Sequence, residues 1–428
     1  MNQNYLLKTK HAETLYFEYA KGLPIIDFHN HVSVSDIASD RKYSDLYELW
    51  IASDPYKHRL MRICGIDEHF ITGGAPAYEK LEKYCEVFPY LAGNPVYDWS
   101  RMELFRIFGI EELPTKENAR YIYDKCKEML ASGEFSNNAI LSRFNIAYQS
   151  PVATLLEDLS LFDGKTVAPS LRGDELLSPT SEFKARLERE TGIAVTDTEN
   201  YIKAVAFMLD RFSKKNCRFA DHALDDGFFE GDTDGKKKEM LTRLGVEYAR
   251  RGWTLLLHIG AKRKTSTRLA HLAGPAGGYA AVGGSFNISA ICDLLNDMEE
   301  GGGLPDTVLF PLNMNDQAPL AVMQGSFSQD GTSSKVQLGP AWWWCDHALG
   351  IENALNCISS FGVVSEFIGM TTDSRSILSF TRHDYFRRIL CSWIDRQNTA
   401  MDMDIPFEVQ GEIIERICYK NAKKKLEI

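Results

Sequence analysis

The 428-residue chain is 44% hydrophobic and 25% charged, with a formal net charge of −11, the balance of a soluble globular protein able to bury a sizeable core. With no basic tract beyond the short KNAKKKLEI tail, that charge argues against nucleic acid or an anionic membrane as partner. Nine irregularly spaced cysteines without a CxxC read as reduced thiols of a cytoplasmic protein, and no signal-peptide core or run near the ~20 apolar residues of a membrane span occurs.

The N-terminal MNQNYLLKTKHAETLYFEYA has the spacing of an amphipathic helix. The first predicted strand is PIIDFHNH, residues 24–31. A long stretch of helical patterns follows over 36–140, including YSDLYELWIAS, YEKLEKYCEVF and NARYIYDKCKEMLAS. Seven more strands are predicted at 143–150, 165–172, 217–224, 253–260, 306–313, 336–343 and 366–373, with helical patterns between most of them. Alternation of this kind implies parallel strands with crossover helices, and eight units suggest a closed (β/α)₈ barrel. A doubly wound sheet would share the pattern, but no GxGxxG follows the first strand. The expected organisation is an N-terminal helix and first strand over 1–35, a helical insertion over 36–140 and the rest of the barrel over 141–428. The Gly-rich GPAGGYAAVGG, 274–284, reads as a mobile loop after strand five.

Chemistry-capable residues collect at the strand ends, where barrel active sites lie. His29 and His31, two apart in a strand, project to one face and make half of a divalent-metal site. Asp373 ends the eighth predicted strand, which neighbours the first on closure. Two imidazoles and a carboxylate with open positions suit Zn²⁺ or another first-row ion, one per chain. His222 and His258 end strands four and five, and each is a ligand, a proton carrier or a satisfied core histidine. Arg172, Arg263 and Arg375 follow strands three, five and eight, and together suggest an anionic small substrate. Trp342 and Trp343 are core, pocket wall or a platform for a sugar face. Asn313 binds a hydroxyl or caps the next helix.

The chain also resembles the uronate (glucuronate) isomerases of the amidohydrolase superfamily, over nearly its whole length. The likeness is carried by IIDFHNH, LYELW with DPYKHRLMR, GNPVYDW, RIFGI, ADHAL, EYARRGW followed by HIGAKR, LGPAWWW and, above all, FIGMTTDSRSILSFTRHDYFRRILC. It implies a distorted (β/α)₈ barrel of the metal-dependent hydrolase type with a helical subdomain. It also implies reversible conversion of D-glucuronate to D-fructuronate and of D-galacturonate to D-tagaturonate. By the resemblance, His29, His31 and Asp373 match metal-binding positions, Arg375 and Tyr56 match positions that contact the reacting sugar acid, and Arg172 matches a contact for its carboxylate. His222, His258, Arg263, Asn313 and Trp343 complete the expected substrate pocket, and self-association into a homo-oligomer is expected of large barrels of this kind.

The chain departs from the family pattern at five places. Pro55 stands where the family often has histidine before the tyrosine. AYQSPVA replaces a TTDDP-like segment, and strand three ends Leu171-Arg172-Gly173-Asp174 rather than Trp-Arg-Pro-Asp. The connections after strands four and five also differ. For the chemistry, Asp373, or a metal-bound hydroxide beside it, is the expected base at C2; the metal, or an arginine such as Arg375, polarises the C1 carbonyl; and Tyr56 helps carry the hydroxyl proton. The alternatives are a metal-dependent hydrolase of the same superfamily and a non-catalytic sugar-acid binding protein.

Overall fold

The computed structural model describes residues 2–426. Seven parallel strands form one curled sheet: β1 (Ile25–Asn30), β2 (Ile146–Thr154), β3 (Ser170–Arg172), β4 (Phe219–Leu224), β5 (Thr254–Ile259), β8 (Asp306–Pro311) and β9 (Val336–Leu338), paired in that order. Between β5 and β8 lies a small antiparallel ribbon, β6 (Ala261–Lys262) with β7 (Ala281–Val282). β5 is buried along its whole length and β4 nearly so, as expected of parallel strands covered on both faces. Helices follow most strands, and no described helix is long and apolar enough to cross a membrane.

Of the last two predicted strands, one ends early and the other does not form. Residues 336–343 keep only Val336–Leu338 as strand; the Gly339 amide still donates to the Leu309 carbonyl at 2.7 Å, and Pro340, which has no N–H to donate, ends the pairing. The eighth, 366–373, forms no strand at all. Gly369 turns the chain with φ +88, at a point where a side chain would strike the Ile417 carbonyl. The segment still occupies the eighth place in the wall. On one side the Ile368 amide donates to Gln337 Oε1 of β9 at 2.9 Å. On the other, the Asp373 amide donates to the His29 carbonyl at 3.2 Å, and the His31 amide to the Ser374 carbonyl at 2.9 Å.

Asp27, fully buried in β1, ties this irregular segment down. Its carboxylate accepts hydrogen bonds from the Thr371 hydroxyl, from the Thr372 amide at 2.8 Å and from the Thr372 hydroxyl at 2.6 Å. Burial pushes the Asp27 carboxyl up, but the His383 ring and the two threonines more than reverse this and hold it below its ordinary range.

Between β1 and β2 the chain is helical wherever it is regular. The longer helices are Pro55–Ile63, Ala77–Val87, Pro95–Phe108 and Ala119–Ala131. Pro55–Ile63 begins with Asp54 as N-cap, its carboxylate accepting from the Tyr56 and Lys57 amides, and with Pro55 in the first turn. These helices do not have a core of their own. Trp50 and Trp99 belong to the same continuous apolar cluster as Leu255 and Leu309 of the sheet, and Pro95–Phe108 packs against Thr381–Ala400.

Candidate active site

A cavity of about 660 Å³ opens at the C-terminal ends of the strands. Its floor is the end of β1. His29 and His31 both line it, as the two-residue spacing predicts, and Asp373 meets them from the eighth segment. Asp373 Oδ1 lies 3.3 Å from His29 Nε2 and 3.1 Å from His31 Nε2. These gaps exceed the ~2.7–2.9 Å of a charge-assisted hydrogen bond. They match the edge of a tetrahedron whose metal–ligand bonds are ~2.0–2.1 Å. The donor set therefore fits a small divalent ion. Asp373 is held at φ +47, a left-handed conformation that aspartate tolerates better than most residues and that turns its carboxylate to the histidines. Burial pushes its carboxyl up, but the two imidazoles hold it well below the ordinary range.

A second trio shares His29: ligand atoms of His29, Asp221 and His258 also lie within 4.8 Å of one another. His258 is buried, stacked on Phe310 and edge-on to Trp342, with Nδ1 3.8 Å from Asp221 Oδ2. Burial first, and the neighbouring His29 second, hold its pKa well below the ordinary histidine value, so it is neutral at pH 7.

The three rim arginines all line the cavity but differ in their company. Arg172 reaches Asp174 at 2.9 Å and Asp221 at 3.7 Å. Arg263 binds both oxygens of Asp225, at 2.9 and 3.1 Å, and lies over the Trp343 ring. Arg375 is exposed to the cavity and has no carboxylate partner among the described residues. Tyr56 lines the same cavity, its ring edge-on to Trp99 and Trp344. Trp343 forms part of the wall. Above the site the Gly-rich loop contributes Pro275, Ala276, Gly278 and Ala280, and Arg59 and Arg62 of the Pro55–Ile63 helix donate to its carbonyls.

Two expected pocket residues lie elsewhere. His222 is fully buried behind the wall, with Nε2 2.9 Å from the Tyr248 hydroxyl. Alternation along β4 explains this: Asp221 and Ala223 face the cavity, so His222 faces away. Asn313 caps the short turn Met314–Asp316, its Oδ1 accepting from the Asn315 amide at 3.0 Å, and does not reach the cavity. The carboxylates Asp174, Asp221 and Asp225 do reach it and were not anticipated. For Asp221 the signal was present, since it is the strand-end residue on the face opposite His222.

The position of His222 yields a prediction about the altered third motif. A Cβ on Gly173 would stand 2.3 Å from His222 Cε1. Gly173→Ala is expected to lower stability by about 1–3 kcal/mol, the usual range for overpacking, and to displace Arg172 and Asp174 on either side. Thermal unfolding and KM would register both effects.

Asp346, buried below the cavity, carries a pH signature. Burial raises its pKa from 3.8 to about 7, although Arg382 opposes the rise. The folded chain thus keeps a proton that the unfolded chain has released, so stability falls as pH rises from 3.8 to about 7. The fall is roughly 4 kcal/mol at most. Urea unfolding at a series of pH values should show this slope, and Asp346→Asn should remove it.

Comparison with known proteins gives one consistent answer. The family model described as glucuronate isomerase matches residues 1–239 and 230–426. A uronate isomerase of Actinobacillus succinogenes is 35% identical, covering 99% of this chain and 98% of its own length. One from Caldanaerobacter subterraneus subsp. tengcongensis is also 35% identical, with coverage of 100% and 99%. The crystal structure of a Thermotoga maritima uronate isomerase superposes with a TM-score of 0.90 at 25% identity, covering 100% of this chain and 99% of that one.

Proposed function

The chain belongs to the glucuronate isomerase family, and from that membership we propose that it interconverts D-glucuronate with D-fructuronate and D-galacturonate with D-tagaturonate in the cavity at the strand ends. The observation that carries this reading is the convergence of His29, His31 and Asp373 on one point, beside Arg375, which has no carboxylate partner among the described residues.

His29, His31 and Asp373 are the residues that would hold a divalent cation, Zn²⁺ by their donor types, which when bound supplies Lewis acidity toward an oxygen of the sugar. Arg172 holds the substrate carboxylate, and Arg263 with Trp343 bounds the pocket beside it. Asp373 takes the proton from C2. Negative charge then grows on the C1 oxygen, and Arg375, uncompensated by any carboxylate among the described residues, is the group on hand to stabilise it. Tyr56 gives its phenolic proton to that oxygen and takes back the proton of the C2 hydroxyl. Asp373 returns its proton to C1, which completes the ketose with no net change in protons or electrons.

The direct test is to incubate the purified protein with each uronate and follow the ketose by NMR. In deuterium oxide, label should enter the C–H that exchanges between C2 and C1. Removing bound metal with a chelator should abolish turnover, and adding Zn²⁺ should restore it, with elemental analysis giving about one ion per chain. Absence of both ketose and exchange from metal-loaded protein would refute the assignment.

A further inference from the structure

One buried cation below the cavity lacks the partners that such a charge ordinarily has. Arg382 is the second residue of the helix Thr381–Ala400 and is 1% exposed. Among the described residues its Nε and Nη1 have no hydrogen-bond acceptor. The nearest carboxylate oxygen is Asp346 Oδ2, 3.5 Å from Nη1. The guanidinium lies instead against aromatic rings, 3.8 Å from the centre of Trp99 and 5.0 Å from that of Tyr56. Ring faces return some of the desolvation cost, but a buried ion held this way is commonly no more stable than an apolar side chain of the same volume. What an apolar side chain would not provide is positive charge beside Tyr56.

Tyr56 needs that charge if it moves protons. Between giving one proton and receiving the next, its oxygen is negative in a buried setting that disfavours the anion. Asp346, Asp373 and Asp54 all oppose negative charge on the phenol, and Arg382 is the group that favours it. Trp99 and Trp344 hold the ring edge-on from two sides.

We infer that Arg382 is a positioning residue of the isomerisation: it braces the Tyr56 ring through Trp99 and supplies the positive charge that stabilises the transient tyrosinate. The inference rests on the assignment of Tyr56 as the hydroxyl-proton carrier. Arg382 does not line the cavity, so its effect belongs in kcat and not in KM.

The test is a double-mutant cycle on the metal-loaded enzyme, with Tyr56→Phe, Arg382→Met and the two combined, assayed with D-glucuronate. Arg382→Met is expected to lower kcat by roughly 10–100-fold, to leave KM within about twofold, and to have almost no further effect in the Tyr56→Phe background. Arg382→Lys, which keeps the charge, should recover part of the loss. If Arg382→Met does not fold, the same cycle is run with Arg382→Lys, whose smaller kcat loss should likewise vanish when Tyr56 is Phe. Equal losses in both backgrounds, or a loss confined to KM, would overturn the role of Arg382 while leaving Tyr56 as assigned. Native turnover by Tyr56→Phe alone would remove the assignment of Tyr56, and this inference with it.

Discussion

Asp373→Asn is expected to reduce kcat for D-glucuronate by about 10²–10⁴-fold, the range that one general base supplies. Asparagine is the informative replacement because it tolerates the left-handed backbone that Asp373 adopts at φ +47. The fold should therefore survive, and the loss should be chemical. Two functions disappear together: the amide is not a base, and it is a poorer metal ligand than the carboxylate facing His29 and His31. Elemental analysis of the variant should show reduced metal, and excess Zn²⁺ should restore occupancy without restoring turnover. Near-native turnover by a folded variant would show that another group removes the C2 proton.

The largest effect on stability is expected from Asp27→Ala. The substitution leaves both donors of Thr372 facing a cavity, while the Thr371 hydroxyl keeps the His29 carbonyl, 2.6 Å away, as its acceptor. Each buried donor left unpaired costs ~1–3 kcal/mol, so the two of Thr372 together should cost about 2–6 kcal/mol in denaturant unfolding. Activity should fall as well, because Asp373 directly follows the released threonines. Asp27→Asn keeps one acceptor oxygen and should lose less on both counts. An unchanged unfolding midpoint for Asp27→Ala would mean that the eighth segment is held by something else.

The sequence made most of the architecture readable. Alternating strand and helix patterns placed all seven strands of the sheet, and the i, i+2 rule brought His29 and His31 to one face. Asp373 was legible because barrel closure sets the eighth position against the first. The eighth strand itself was misread. EFIGMTTD has the apolar run of a strand, but Gly369 and the polar threonines serve a segment bonded through side chains rather than a ladder. His222 was misassigned for a related reason. A strand end says that a residue is near the mouth, and only the alternation of its neighbours says which way it faces. Asp27 was missed because nothing local in IIDFHNH reveals partners more than 300 positions away; its Thr371 bond spans 344 residues.

The barrel wall has a seam. Between β9 and β1 the strands are joined not by a continuous ladder but by a few bonds to Gln337, Asp27 and His29. The candidate ion-binding side chains straddle that seam, His29 and His31 on one lip and Asp373 on the other. An ion seated there acts as a rivet: the energy that holds it also holds the cylinder shut. On that assignment the proposed ion site also closes the wall, so stripping an ion from it would loosen the seam.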